Sequence, residues 1–271
     1  MEKKNKMETM HMQKLVINMS LPLIVSLLVQ SLYNIVDSIF VAKMSEEALT
    51  ATSLAFPVQM LMIAFSVGTG VGVNALLSKT LGARNRERAT KIANTSIMLA
   101  LIGGAVFSLT GIFFAQKLAR SFTTVESTAA LCADYLSICM IFCFGNFIET
   151  MLQRFLQAAG NTVLSMCSLI AGAVTNIILD PILIFGLLGF PALGIRGAAI
   201  ATVIGQWLGA AVALLLNRFC NREVIVDFRG FCPEKEIIFG IYKVGLPNII
   251  TQAISSVMVT LVNQILMPLS M

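Results

Sequence analysis

Seven stretches of about 20 or more predominantly apolar residues, separated by short polar breaks, recur along this chain and constrain its fold more than any motif does. A run of that length crosses roughly 30 Å of hydrocarbon as an α-helix, the one open segment that satisfies its backbone N–H and C=O groups internally. Charged residues make up 12% of the chain and hydrophobic residues 57%, with a mean hydropathy of +0.85. A soluble domain carries about 25% charged residues, so a soluble fold is excluded. The runs do not alternate, which excludes a β-barrel. The expected fold is an all-α membrane protein, a six-helix transmembrane bundle plus a seventh helix, with helices over residues 15–41, 49–78, 92–115, 128–152, 162–189, 195–217 and 238–268.

The net charge of +5 reports topology rather than an anionic partner, because of where the positive residues fall. Of the 19 Lys and Arg, all but Lys43, Lys117, Arg120 and Arg196 lie in segments that a cytoplasmic N-terminus places inside, from Lys3, Lys4, Lys6 and Lys14 through Lys79, Arg84, Arg86, Arg88, Lys91 and Arg154 to Arg218, Arg222, Arg229, Lys235 and Lys243. The positive-inside rule then gives a multi-pass protein of the plasma (inner) membrane with a cytoplasmic N-terminus. The basic turn from Arg84 to Arg88 is read as topogenic, not as a nucleic-acid site. The first apolar run follows a lysine-rich start but is too long and too polar for a cleaved signal, so it is read as a retained helix.

The longest polar stretch divides the chain into an N-terminal six-helix lobe, 1–216, a cytoplasmic inter-lobe linker, 217–237, and the first helix of a second lobe, 238–271. Val244-Gly-Leu-Pro247 followed by an apolar run echoes Met19-Ser-Leu-Pro22 followed by another. Repeats of this kind build many secondary transporters. Since the sequence stops in apolar residues after Leu266, the expectation is that a C-terminal lobe needed for a full cavity is missing.

Within the apolar helices two acids stand out. In the first helix Gln30, Tyr33, Asn34 and Asp37 are spaced by three, four and seven, which puts them on one face. A charge at the bilayer centre costs at least about 2.5–3.5 kcal/mol, so that face is expected to line a bundle interior or aqueous cavity. In the fifth predicted helix Asn176 and Asp180 are four apart and stack, directly before Pro181. Proline lacks an N–H, so it frees the carbonyl of Ile177 near Asp180, and Pro22 and Pro57 are expected to act likewise. Two carboxyls with oxygen-bearing neighbours in a dry site can share a proton or hold a hard cation.

Other residues read as structural. Glu149, at the inner end of the fourth helix, is expected to form an interfacial ion pair with Arg154, and Asp134 sits at that helix's outer end. The six cysteines form no CxxC pair and no metal cluster, and are read as small packing residues. The lone histidine, His11, falls in the polar N-terminal tail. Glycine rows around Gly68, Gly70 and Gly72 and around Gly194 and Gly197 mark close helix packing; no lysine-serine pair or strand follows to make a phosphate loop.

The stretches Leu21-Pro22, Tyr33-Asn34-Ile35-Val36-Asp37, Leu81-Gly82-Ala83, Gly160-Asn161-Thr162, Asn176-Ile-Ile-Leu-Asp180-Pro181 and Gly194-Ile-Arg-Gly197-Ala-Ala-Ile-Ala-Thr202 resemble, in order, the multidrug and toxic compound extrusion (MATE) family of antiporters. The resemblance implies a twelve-helix protein of two six-helix bundles around a central cavity. It also implies a cation site at Asp37, Asn176, Asp180 and Thr202, for Na⁺ or H⁺ as coupling ion, with Gln30, Tyr33, Asn34 and Gln153 lining the cavity. No cofactor, no metal beyond Na⁺ and no enzymatic activity are implied; the partners are the lipid bilayer and a small-molecule substrate. The departure is length, since this chain supplies one lobe and about one further helix.

The function expected is a secondary active antiporter that exports drugs, organic cations or metabolites against proton or sodium entry. Alternatives are a lipid-linked oligosaccharide flippase of the same superfamily, which calls for a large cationic cavity, and a non-transporting membrane protein whose acids only join helices. An intramembrane aspartyl protease is disfavoured because Ile177-Ile178-Leu179, not a Gly-x-Gly step, precedes Asp180.

Overall fold

A computed structural model describes residues 11–221, 223–228 and 232–266; Lys3, Lys4, Lys6, Arg222, Arg229 and the terminal 267–271 lie outside the described residues. The chain is all-helical in its described elements: α1 (Met12–Ala42), α2 (Glu46–Gly82), α3 (Arg86–Phe122), α4 (Glu126–Ile141), α5 (Phe144–Ala158), α6 (Thr162–Phe185), α7 (Ile195–Cys220) and α8 (Lys235–Leu266), with a 3₁₀ turn at Leu187–Gly189. Six of these are long and apolar enough to cross a membrane, and seven crossings result when α4 and α5 count as one broken span. This is a multi-pass membrane bundle.

Local chemistry sets the helix starts. Ser45 caps α2 by accepting the Ala48 N–H at 3.1 Å, with Glu46 and Glu47 in the first turn, and Asn85 caps α3 by accepting the Arg88 N–H at 3.0 Å. Gly186, at φ 72°, ends α6 in a left-handed turn, so the fifth predicted helix stops at Phe185 rather than residue 189.

The fourth predicted helix is not continuous. It breaks at Phe142 and Cys143 into α4 and α5, which meet at 47°. The bend lets α5 lean onto α3 at Gly103 and Gly104, where a Cβ would stand 2.9 Å from the Phe147 ring and 2.7 Å from the Phe144 ring, while the Cys143 thiol donates to the Gly104 carbonyl at 3.4 Å. Cys132, Cys139 and Cys143 are buried as packing residues, whereas Cys167, Cys220 and Cys232 are exposed.

Two apolar clusters close the bundle near its ends. One joins Leu77, Ile92, Met151, Phe155, Ile237 and Ile241; the other joins Val41, Leu54, Ala119, Leu136, Ile195 and Ala198. The outside is studded with exposed Leu, Ile and Phe, as a lipid-facing surface requires. At the second end Arg196 makes a two-pronged ion pair with Asp134, at 2.9 and 3.2 Å, and Arg120 pairs with Glu126 at 3.1 Å.

The described part of the segment between α7 and α8 is docked rather than free. Asn217 donates to the Leu152 carbonyl at 2.9 Å, Val224 is buried, and the Asn94 side chain bonds both the N–H and the carbonyl of Asp227. Lys91 then pairs with Glu234 at 2.9 Å. Beyond it α8 packs closely on α2: a Cβ at Gly72 would stand 2.0 Å from the Ile241 carbonyl oxygen. The Leu-Pro echo extends one step further, because Ser26 and Thr251 each bond back to the carbonyl of the proline four residues earlier, Pro22 and Pro247, at 2.8 and 2.9 Å.

Candidate functional site: an acid cluster beside a polar cavity

Close packing of α6 on α7 builds the site. At their crossing a Cβ on Gly205 would lie 2.9 Å from the Gly172 carbonyl oxygen and 3.2 Å from the Asn176 Cβ, so only glycine allows this approach. The approach sets Asn176 beside Thr202. The Asn176 amide nitrogen lies 3.3 Å from Asp180 Oδ1 and 3.4 Å from Thr202 Oγ1; turned over, the amide donates to Asp180 Oδ2 at 3.3 Å and accepts the Thr202 N–H at 3.2 Å. In either orientation Asn176 bridges the two helices.

Helix α1 packs on α6 and brings Asp37 to the same place. The carboxyls of Asp37 and Asp180 are close neighbours, Asp180 and Asn176 are buried, and Asp37 Oδ1 is buried without a partner. Asp37, Asn176, Asp180 and Thr202, which come from three helices, thus meet in one oxygen-rich cluster. Oxygen donors of this kind, one of them unsatisfied, suit a proton or a hard cation. Among the described residues no group of His, Cys, Asp or Glu forms a metal cluster.

Next to the cluster is a cavity of about 340 Å³ between α1, α2, α5, α6 and α7. Asn176 and Thr202 belong to both, so the cluster forms part of the cavity wall. Gln30, Tyr33 and Gln153 line the cavity as the sequence suggests, and Tyr33 stands within electrostatic reach of Asp37, Asp180 and Glu149. Asn34 does not line it. It is exposed on α1, since its position is roughly 100° around the helix from Tyr33, at the opposite edge of the polar stripe.

The structure also corrects two readings. Glu149 and Arg154 form no ion pair with each other among the described residues, and both line the cavity. They are five residues apart on α5, which directs them roughly 140° apart around the helix axis. Arg154 therefore belongs inside a helix rather than in a topogenic loop. Their signal was available in the sequence as two more charges next to an apolar run; the predicted helix end at 152 hid it.

Residues 22–182 match a protein-family model, MatE, and this stretch carries Asp37, Asn176 and Asp180. The chain belongs to the MatE family. Its curated relatives include the probable multidrug resistance protein YoeA of Bacillus subtilis, 31% identical over 248 residues, which cover 88% of this chain and 53% of the relative. The multidrug export protein MepA of Staphylococcus aureus is 28% identical over 236 residues, covering 86% of this chain and 51% of its own. Among solved structures, a MATE protein in complex with MaL6 superposes with a TM-score of 0.85 at 30% identity, covering 93% of this chain and 55% of that one. This MatE chain thus spans about half the length of the curated relatives it matches.

Proposed function

We propose that this MatE chain provides the ion-coupling lobe of a secondary active antiporter that exports drugs, organic cations or metabolites across the cell membrane, driven by proton or sodium entry. One observation carries the proposal: two carboxyls, Asp37 and Asp180, share a buried cluster with Asn176 and Thr202 in the wall of a polar cavity. A coupling ion held there alters the contact between α1 and α6, and Asn176 and Thr202 transmit that change to the cavity in which a solute sits. The names of YoeA, a probable multidrug resistance protein, and of MepA, a multidrug export protein, support the solute class.

In this reading residues 1–216 form one lobe, 217–237 the cytoplasmic connection, and 238–271 the first helix of a second lobe that completes the cavity. The Leu-Pro step shared by α1 and α8 supports the repeat. The excess of Lys and Arg on the segments joining α2 to α3 and α7 to α8 supports a cytoplasmic N-terminus.

The test is transport in proteoliposomes under an imposed proton or sodium gradient. Solute efflux that follows the gradient, and is lost in Asp37→Asn, is the expected result. Full gradient-driven efflux in that variant would refute the proposal.

A further inference from the structure

Residues 185–194, which join α6 to α7, carry no charged and no hydrogen-bonding side chain. The other two connections at this end of the bundle are polar, with Lys43 and Ser45 between α1 and α2 and Thr123 and Thr124 between α3 and α4. The apolar connection nonetheless turns its side chains outward. Leu187, Leu188 and Phe190 are exposed, and Leu188, at 83%, is the most exposed large apolar side chain among the described residues.

This exposure is imposed by the backbone. The Leu193 N–H donates to the Leu183 carbonyl at 2.9 Å and the Gly194 N–H to the Ile184 carbonyl at 3.2 Å, which clips the far end of the loop back onto the last turns of α6. Inside the clip a Cβ on Gly186 would stand 2.7 Å from the Ala192 nitrogen, and one on Gly197 would stand 2.5 Å from the Leu183 carbonyl oxygen. Leu188 itself is at φ 58°, in the left-handed region where a Cβ crowds the following carbonyl; among the described non-glycine residues only Arg84 shares a positive φ. A strained leucine held out of the fold by a tight clip marks a contact with something outside the bundle.

The face of α6 beneath the loop identifies that contact. Val174, Ile178 and Phe185 are exposed along one stripe of α6, whereas Leu169, Gly172, Ala173 and Asn176 line the cavity. With 3.6 residues per turn, the stripe is centred roughly 170° around the helix from the cavity face. The stripe therefore faces lipid, and a second lobe that completes the cavity stands on the opposite side of α6. The loop prolongs this lipid-facing stripe past the helix end. Arg196, the second residue of α7, pairs with Asp134 beside it and sets the level at which charged side chains meet the headgroups.

We propose that residues 187–190 form an apolar keel seated in the interfacial layer of the adjacent membrane leaflet, with phospholipid as its partner. The clip on Leu183 and Ile184 makes the keel part of α6, so that the lipid contact bears on the helix that carries Asn176 and Asp180.

The experiment places one added tryptophan at a time in the full chain, reconstituted in phosphatidylcholine nanodiscs, with the parent's Trp207 signal subtracted. The positions are Leu188→Trp, Phe190→Trp and, on the polar α3–α4 connection at the same end, Thr124→Trp. Quenching by phosphatidylcholine brominated in the upper acyl chain is expected to be several-fold stronger at 188 and 190 than at 124, and quenching by aqueous acrylamide several-fold weaker. Acrylamide quenching at 188 and 190 equal to that at 124 overturns the proposal. Protection from both quenchers also overturns it, because a protein surface would then cover the loop. Phe190→Trp exchanges one aromatic side chain for another and decides the question where Leu188→Trp does not fold.

Discussion

The carboxyl of Asp37 on α1 and that of Asp180 on α6 are close neighbours, although 143 positions separate them in the chain, and one Asp37 oxygen is buried with no partner. Residues that act as one unit lose their function together. Asp37→Asn, Asp180→Asn and the double variant are expected to reduce gradient-driven flux to similar extents rather than multiplicatively. Proteoliposome flux measured across the three variants checks this; multiplying effects would mean two separate sites.

Thr202 offers a milder probe of the cluster. Thr202→Val keeps the side chain's shape and removes the oxygen that faces Asn176 at 3.4 Å. Losing one oxygen of the proposed ion shell is expected to cost about 1–3 kcal/mol, a roughly tenfold or greater fall in ion affinity, while the bundle stays folded because Asn176 still reaches Asp180 and the Thr202 backbone N–H. The chain has one tryptophan, Trp207, on α7 five residues from Thr202, and its fluorescence reports the ion titration.

The α2–α8 contact predicts a contrast between two glycines of the same helix. A Cβ at Gly72 would meet the Ile241 carbonyl at 2.0 Å, and backbone cannot step aside as a side chain can. Gly72→Ala is expected to destabilise by about 1–3 kcal/mol, in the manner of an overpacked core. At Gly82 nothing lies within 4 Å, and Gly82→Ala is expected to change stability by less than about 0.5 kcal/mol. Thermal unfolding of both variants in detergent measures the difference.

Asn94, buried on α3, acts as the clasp of the segment between α7 and α8 through its two bonds to the Asp227 backbone. Asn94→Ala removes both of these bonds, at about 1–3 kcal/mol. The expected outcome is faster proteolysis within residues 223–234 with little change in the melting of the rest of the bundle. Unchanged cleavage would mean that the segment's other contacts, among them Lys91–Glu234 and the buried Val224, hold it without Asn94.

The chain's own chemistry determines much of this protein. Length and apolarity of each run specify membrane-crossing helices, because no other open structure satisfies its backbone in lipid. Intrahelical spacing places Gln30, Tyr33 and Asp37 on one face and stacks Asn176 on Asp180, since these relations span only a turn or two. Tertiary structure decided whatever depends on two helices meeting. That Asp37 reaches Asp180, and that Asn176 reaches Thr202, follows from the Gly172–Gly205 crossing and the α1–α6 contact, neither of which has a local signal. No proline or glycine stands at Phe142 or Cys143 themselves, so the break between α4 and α5 has no clear local signal; it accompanies the docking of Phe144 and Phe147 on Gly103 and Gly104 and of Gly145 on Trp207. That break, with the continuation of α5 to Ala158, carries Glu149 and Arg154 into the cavity as separate charges; their spacing rules out a simple pair, but only the positions of α2 and α7 determine what each one faces.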